Sequence, residues 1–160
     1  SQLIFGSIIE KPIGTQKMMW SYFFCAVGGN LFGALVNNSM AVGASTSITG
    51  LVGVFVAYII VNWHRLDSNN RSNLMLMSGV MIFFNVLVGF MDSFQQEGKN
   101  LNGTDNYGHL GGLLVGVFIG MVLMKPIDGN PGKYEKQVEK IGKYLWGGFF
   151  VLGFVLFYFV

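Results

Sequence analysis

The sequence predicts an all-α fold: a polytopic membrane helix bundle with five transmembrane helices. The first observation is composition, because 52% of the residues are hydrophobic and only 11% are charged. An ordinary soluble domain carries roughly 25% charged residues, so this chain has too few charges to cover a globule with a solvated surface. The second is a series of apolar runs close to the roughly 20 residues that a helix needs to cross a bilayer. These runs are too long for strands and lack their alternation.

The predicted spans follow one another with short connections. They cover residues 18–36, 41–63, 74–92, 106–124 and 144–160. Because only residues 37–40 separate the first two, we expect a tight helical hairpin there. Residues 125–143 are predicted to be a charged cytoplasmic linker, and 144–160 an additional carboxy-terminal transmembrane helix. The chain opens with Ser1 rather than Met, and we interpret it as the carboxy-terminal part of a longer protein.

The connecting segments alternate in charge. Residues 10–17 and 64–73 each carry a net charge of +1, and residues 125–143 carry +2. Residues 92–105 carry −2 instead. Positively charged loops remain on the cytoplasmic side, so this pattern places the three positive segments inside, and 37–40 and 92–105 outside. All five spans agree with this orientation.

Several classes of function are disfavoured. The net charge is only +2, and no basic stripe with interleaved aromatic residues suggests a nucleic-acid partner. Cys25 is the one cysteine, so neither a disulfide framework nor a cysteine metal site is expected. We expect no cofactor and no metal site. A channel or transporter would place ionisable residues in several spans, whereas His109 is the one such residue well inside a predicted span.

Two polar residues lie where a membrane protein can least accommodate them. Ser45 follows Gly43 at the start of the second span, and His109 follows Gly108 at the start of the fourth. Both spans run inward in the predicted orientation, so both side chains lie near the outer surface at similar depth. A polar or ionisable group at membrane depth indicates function, and a serine beside a histidine can perform nucleophilic hydrolysis.

Glycines predict that these two helices pack closely. The fourth span has glycine at every fourth position, and the second has small residues along its length. These are Gly108, Gly112, Gly116 and Gly120 on the fourth, and Gly43, Ser47, Gly50 and Gly53 on the second. Small residues let membrane helices approach more closely than the usual 8–10 Å, so Ser45 and His109 are expected to come within the roughly 3 Å of a proton transfer.

Each feature taken alone has a structural interpretation. A membrane serine usually bonds its own backbone, glycines usually serve packing, and a single histidine can be a structural hydrogen-bonding group. The matched depth and glycine setting of Ser45 and His109 favour the catalytic interpretation. Other polar residues are interpreted structurally: His64, with Trp63 and Arg65, as an interfacial anchor, Asn30 and Asn85 as interhelical hydrogen-bonding groups, and Glu10 as a structural contact.

These residues resemble the rhomboid family of intramembrane serine proteases. The family signature is G-x-S-x opening one transmembrane helix and H-x-x-G-x-x-x-G opening another two spans later. This chain has Gly43-Ala44-Ser45-Thr46 and the run from His109 to Gly116 in that order. Upstream, Phe5-Gly6, Glu10, Gly14 and Gly29-Asn30 also look like the family. The resemblance covers about residues 3–124, which would form a partial rhomboid-like core.

The resemblance implies an activity and the residues for it. Ser45 would be the nucleophile and its backbone N–H an oxyanion donor, while His109 would be general base and then general acid. Substrates would be transmembrane segments of other membrane proteins. The family's first two transmembrane helices, with further oxyanion donors, are not found in this sequence, so this fragment alone is expected to be inactive. The additional carboxy-terminal helix resembles that of many eukaryotic members, which suggests an endomembrane or plasma-membrane location.

The chain departs from the family pattern at two positions that bear on activity. Thr46 stands where the family usually has glycine, and Thr49 where it often has an aromatic residue that stacks on the histidine. These departures favour an alternative, a catalytically inactive rhomboid-like protein that binds membrane segments of client proteins. Retention of both Ser45 and His109 favours the protease. The sequence does not indicate an oligomeric state.

Overall fold

A computed structural model describes residues 9–11, 13–37, 44–95 and 106–159. These residues form a bundle of long α-helices, which confirms the predicted fold class. The helices are α1 (Thr15–Asn37), α2 (Ala44–Val61), α3 (Ser68–Gln95), α4 (Asn106–Leu123) and α5 (Lys133–Phe159). Gly14, at a φ of 82°, ends a short helical stretch before α1, a conformation that glycine adopts without strain.

Three of these helices are long and apolar enough to cross a membrane, by length and composition: Thr15–Val36, Ala44–Val61 and Asn106–Leu123. They correspond to the first, second and fourth predicted spans. The third and fifth predicted spans lie within α3 and α5, which begin before the apolar runs do. Of the predicted outer connection 37–40, Asn37 is the last residue of α1, and residues 38–40 lie outside the described residues, as do residues 96–105 after α3.

The early start of α3 and α5 has local causes. Asp67 precedes α3 in the position that favours a helix cap, and its carboxylate accepts a hydrogen bond from Asn70 Nδ2 at 2.6 Å. At α5, the Gly132 N–H donates to the Glu135 carboxylate at 2.8 Å, which is one half of a capping box. The second half of the charged segment 125–143 is therefore helical and continuous with the predicted fifth span.

Helix α2 lies at the centre of the bundle. It packs along α4, and α1 packs against both of these helices. Helix α5 covers α1 and α4, and α3 lies against α2. The buried apolar core between these helices includes Val54 and Phe55 of α2, Val115 of α4 and Cys25 of α1. Large apolar side chains on the outer faces of α3 and α5, such as Phe83 and Phe154, are exposed, as expected for helices that face lipid.

Aromatic residues attach α5 to the bundle. The Phe24 and Trp146 rings meet edge to face with centroids 5.7 Å apart, and Phe149 stacks on Phe32 at 6.1 Å. Gly142 lies against Met121, where an added Cβ would be 2.6 Å from the methionine Cβ. Side chains thus form the contact of α5 with α1 and α4, whereas backbone atoms form the contact between α2 and α4.

Candidate active site

Helices α2 and α4 touch through their backbones. A Cβ atom added to Gly116 would collide with the carbonyl oxygen of Gly50, and one added to Gly112 would lie 2.5 Å from the carbonyl oxygen of Thr46. Gly50 faces Cys25 of α1 as well, and a Cβ there would lie 3.0 Å from the Gly112 carbonyl oxygen. Because such distances leave no room for a methyl group, the structure requires glycine at these three positions.

The carbonyl oxygen of Gly108 lies close to α1. A Cβ on Gly29 would lie 2.7 Å from the Gly108 carbonyl oxygen and would collide with the methyl group of Thr46. Thr46 is only 2% exposed, so this residue fills the junction of α1, α2 and α4. Gly43, the other glycine singled out in the sequence, lies outside the described residues.

The close packing brings the two candidate catalytic side chains together. His109 Nε2 lies 2.9 Å from Ser45 Oγ, although the residues are 64 positions apart in the sequence. Ser45 is in the first turn of α2 and His109 in the first turn of α4, so both occupy the same end of the helix pair. Ser45 is exposed and His109 half-buried within the described structure. The geometry allows direct proton transfer between oxygen and nitrogen.

Thr49 connects this pair to α3. Its Oγ1 lies 3.0 Å from the carbonyl oxygen of Ser45 and 2.8 Å from Asn85 Oδ1. Asn85 Nδ2 donates to the Met81 carbonyl oxygen at 2.9 Å, so its amide oxygen remains as the acceptor for Thr49. The interhelical role predicted for Asn85 is therefore seen, with a threonine one turn beyond Ser45 as the partner.

A cavity of about 250 Å³ lies between α2, α3 and α4 beside His109. Apolar side chains form most of its wall, with polar atoms from Thr49, Asn85 and Asn106 at its edge. The apolar lining residues are Val52, Ile82, Val86, Leu110 and Leu113. An apolar side chain held here would lie directly beside the imidazole of His109.

The opposite end of the helix pair is held by a polar cluster, which we call the clasp and define as Asn62, Arg65, Asp128 and Glu135. Arg65 donates through Nε to Asp128 at 3.0 Å and through Nη1 to Glu135. The fully buried Asn62 accepts from the Ile127 N–H at 2.8 Å. The pKa of Asp128 is held below its ordinary value by the Arg65 guanidinium and by a hydrogen bond that the Asn130 N–H donates to its carboxylate.

Glu135 is the buried carboxylate of the clasp, at 6% exposure. Its pKa is lowered by its own backbone N–H and by the Arg65 guanidinium, against the opposing effect of burial. The sequence patterns did not predict the clasp, although opposite charges on two loops assigned to the same membrane side were a usable signal. The contact places segments 64–73 and 125–143 together, at the end opposite Ser45 and His109, as the predicted alternation requires.

The remaining polar candidates have structural surroundings. The His64 ring meets Tyr134 edge to face at 4.8 Å, and Trp63 carries the guanidinium of Arg71 rather than Arg65 over its face, at 4.6 Å. Glu10 accepts from Thr15 Oγ1 at 2.6 Å. Asn30 Oδ1 has no hydrogen-bond partner among the described residues, so the interhelical bond expected there is not seen. Among the residues that the structure describes, no group of three His, Cys, Asp or Glu side chains could hold a metal ion.

Comparison with known proteins matches a family and several relatives. The family model described as Rhomboid domain matches residues 1–126. The chain is 37% identical over 135 residues to Rhomboid-like protease 1 of Toxoplasma gondii, covering 83% of this chain and 43% of that relative. It is 30% identical over 129 residues to RHOMBOID-like protein 6, mitochondrial, of Arabidopsis thaliana, covering 79% and 38%.

A third relative is Rhomboid-like protease 3 of Toxoplasma gondii, 33% identical over 124 residues, covering 77% of this chain and 43% of the relative. The chain thus spans about two fifths of the length of the curated relatives it matches. No solved structure matches the chain. The family match and the apolar helices identify a multi-pass integral membrane protein.

Proposed function

The chain belongs to the rhomboid family, and we propose that it is the catalytic part of an intramembrane serine protease. The proposed reaction is hydrolysis of peptide bonds in or near transmembrane segments of other membrane proteins. Ser45 is the proposed nucleophile, and His109 the general base and acid. The observation that carries the proposal is the 2.9 Å separation of His109 Nε2 and Ser45 Oγ.

The proposed chemistry uses the neutral histidine. His109 Nε2 accepts the hydroxyl proton as Ser45 Oγ attacks the scissile carbonyl carbon, and it then donates that proton to the departing amine. A water molecule, activated by the same imidazole, hydrolyses the acyl-enzyme. Both steps use the Ser45 hydroxyl and the His109 imidazole, and the backbone contacts between the two helices hold together the helix turns that carry these side chains.

The start of α2 suits it to stabilise the tetrahedral intermediate. The first four N–H groups of a helix have no intrahelical acceptor, and Ser45 is the second residue of α2. Its N–H is therefore a proposed oxyanion donor, an interaction worth roughly 3–4 kcal/mol in other hydrolases.

The surroundings favour a substrate that is itself a membrane segment. Ser45 is exposed at one end of a helix pair, and the apolar cavity of about 250 Å³ opens beside His109. Apolar side chains are what a transmembrane segment offers to such a cavity. A peptide bond in a regular helix is shielded, so preferred segments should carry glycine or other residues that weaken a helix near the cleavage site.

The test is cleavage of a model transmembrane substrate by the full-length protein in liposomes. We expect Ser45→Ala and His109→Ala each to lower the rate by a factor of at least about a thousand, as loss of either partner does in other serine hydrolases. Ser78→Ala is the matched control, because the Ser78 hydroxyl lies 3.0 Å from the carbonyl oxygen of Leu74 in its own helix. Its rate should equal that of the wild type.

Two outcomes would overturn the assignment. Cleavage that survives either Ser45→Ala or His109→Ala would remove these residues from the mechanism. Absence of cleavage by the wild type, with photo-crosslinking to the same transmembrane segment retained, would establish the non-catalytic binding protein instead.

A further inference from the structure

Three lysines form a basic groove at the start of α5. Lys133, Lys136 and Lys140 follow the spacing i, i+3, i+7, which places them on one face of the helix, and all three are exposed. With Pro131, Gly132 and Gln137 they line an open groove of about 430 Å³. Because seven residues of helix rise about 10 Å, one anionic group can be approached by all three ammonium groups. We call this surface the lysine groove.

The carboxylates near the lysine groove are engaged elsewhere. Asp128 and Glu135 both pair with Arg65, and Glu139 pairs with Lys143 at 2.5 Å. In the remaining described structure, Glu10 accepts from Thr15 and Asp67 from Asn70. Among the side chains that the structure describes, no carboxylate therefore forms an ion pair with Lys133, Lys136 or Lys140.

The face that carries the lysines becomes apolar as α5 continues. Tyr144 lies one turn beyond Lys140 on the same face and is 71% exposed, and Val151, two further turns along, is 65% exposed. Between them, Gly148 has no atom within 4 Å of the position of an added Cβ. The exposed face thus changes from three ammonium groups to an aromatic ring and then to an open apolar surface.

This order matches the order of groups along a phospholipid molecule. A headgroup phosphate requires cations, the interfacial region suits the amphipathic ring of a tyrosine, and the acyl chains require apolar surface. Lysine is an effective phosphate ligand, and a cluster of basic residues directly before a transmembrane helix on the cytoplasmic side is typical of anionic-lipid binding.

We propose that the lysine groove binds the headgroup phosphate of an anionic phospholipid, whose acyl chains lie along the Tyr144–Val151 face of α5. A free phosphate could satisfy the lysines but would leave the apolar continuation of the face unused, so the lipid is the occupant that accounts for both. Helix α5 packs on α4 through Gly142 and Met121, so the bound lipid would hold this pair at the inner membrane surface.

The test uses quenching of tryptophan fluorescence in the full-length protein by lipids with brominated acyl chains. The reporter is a tryptophan introduced by Tyr144→Trp on the exposed face, and its signal is the difference from the protein that keeps Tyr144, because the ring of Trp146 packs against Phe24 of α1. In phosphatidylcholine liposomes, we expect brominated phosphatidylserine to quench at a mole fraction at least about tenfold below that needed for brominated phosphatidylcholine. Each lysine near an anionic surface is worth about 1 kcal/mol, or roughly fivefold in affinity.

The variants separate this site from general surface charge. The triple change Lys133→Gln, Lys136→Gln and Lys140→Gln should abolish the preference for the anionic lipid, while the three Lys→Arg changes should keep it. Lys143→Gln is the matched control, because it removes one charge from the same helix at a lysine paired with Glu139. This control should retain most of the preference.

Other outcomes contradict the proposal. Equal quenching by the two lipids, or a preference that survives the triple Gln change, would mean that the groove is not a lipid site. Loss of the preference on adding inorganic phosphate at constant ionic strength would identify a site for free phosphate instead. Helical content by circular dichroism checks that each variant is folded, and the fluorescence readout does not depend on proteolytic activity.

Discussion

The two ends of the α2–α4 pair are held together by opposite means. At the end with Ser45 and His109, glycines bring the backbones into contact, and Gly50, Gly112 and Gly116 have no room for a methyl group. At the other end, the clasp joins the helices through long polar side chains and the 125–135 segment. The first end is held by backbone contacts at glycines, and the second by hydrogen bonds of polar side chains.

The difference teaches how close helix packing can bring two side chains from distant parts of the sequence within hydrogen-bonding distance. Backbone contact fixes the distance between two helices more firmly than flexible side chains can, since each backbone is already rigid. The serine hydroxyl and the imidazole are then brought together by short side chains. Charged groups beside Ser45 and His109 would compete for hydrogen bonds with the hydroxyl and the imidazole, whereas the clasp lies at the far end of the helix pair.

The largest expected effect comes from adding a methyl group where the backbones of α2 and α4 touch. Gly116→Ala should lower the free energy of unfolding by about 3 kcal/mol, the upper part of the range for an overpacked core, because the new Cβ collides with the Gly50 carbonyl oxygen and neither backbone can move easily. Chemical or thermal unfolding in detergent measures this change. Any folded fraction should react more slowly with a serine-directed probe, since the two helices are forced apart.

Gly79→Ala is the matched control for that change. Gly79 lies in α3 with no atom within 4 Å of the position of an added Cβ. Alanine there should be neutral or stabilising by up to about 1 kcal/mol, because glycine is the poorer helix former. Equal destabilisation by the two substitutions would mean that the contact between α2 and α4 is not unusually close.

Removing Arg65 is expected to have the next largest effect. Arg65→Ala leaves the buried Glu135 without its guanidinium partner, so the unfolding temperature should fall. Arg71→Ala is the control: it removes an equal charge from α3, where Arg71 lies over the ring of Trp63 and bonds its carbonyl oxygen. We expect a clearly smaller loss there. A clasp that contributes little to stability would give the two variants equal unfolding temperatures.

The clasp should also make stability depend on pH. The pKa values of Asp128 and Glu135 are lowered in the folded protein from ordinary values of 3.8 and 4.5. Their stabilising contribution is therefore complete above the ordinary values and is lost as the pH falls through the lowered ones. The unfolding temperature of the wild type should drop between about pH 5 and pH 3, and that of Arg65→Ala should drop less. Parallel curves would contradict this origin.

The smallest expected effect concerns the hydrogen bond between α2 and α3. Thr49→Val and Asn85→Ala should each destabilise slightly, with a coupling energy of about 0.6 kcal/mol between them, as is typical of interhelical hydrogen bonds in membranes. A double-mutant cycle of unfolding free energies measures it. A coupling of zero would mean that the 2.8 Å contact between Thr49 Oγ1 and Asn85 Oδ1 adds no stability.

The local features of the sequence predicted that Ser45 and His109 lie close together, as the structure shows. Glycine at every fourth position of α4 is a short-range pattern, and it indicated close packing that brings His109 to Ser45. The packing role of helix α1 was harder to predict: Gly29-Asn30 was noted only for its resemblance to the family, whereas the structure places Gly29 against Gly108 and Gly112. Thr46 likewise looked like a departure from the family pattern, whereas the structure shows its methyl group filling the junction of three helices.

The clasp depends on pairs far apart in sequence, and a linear pattern does not specify such pairs. Arg65 was interpreted as an interfacial anchor beside Trp63, but its partners are Asp128 and Glu135, 63 and 70 positions away. Charge counts placed both loops on one membrane side without indicating which charges meet. The helical start of α5 was also missed, because its lysines and glutamates were read as loop charges although both residue types favour helix.

The proposed mechanism requires that His109 accepts the hydroxyl proton of Ser45 where helices α2 and α4 touch. Its most direct test is labelling of the full-length protein with a fluorophosphonate, followed by peptide mass spectrometry to locate the adduct. We predict one adduct, on Ser45, that disappears in His109→Ala while circular dichroism shows that variant to be folded. An adduct on another residue, or undiminished labelling of Ser45 without the imidazole, would contradict the claim.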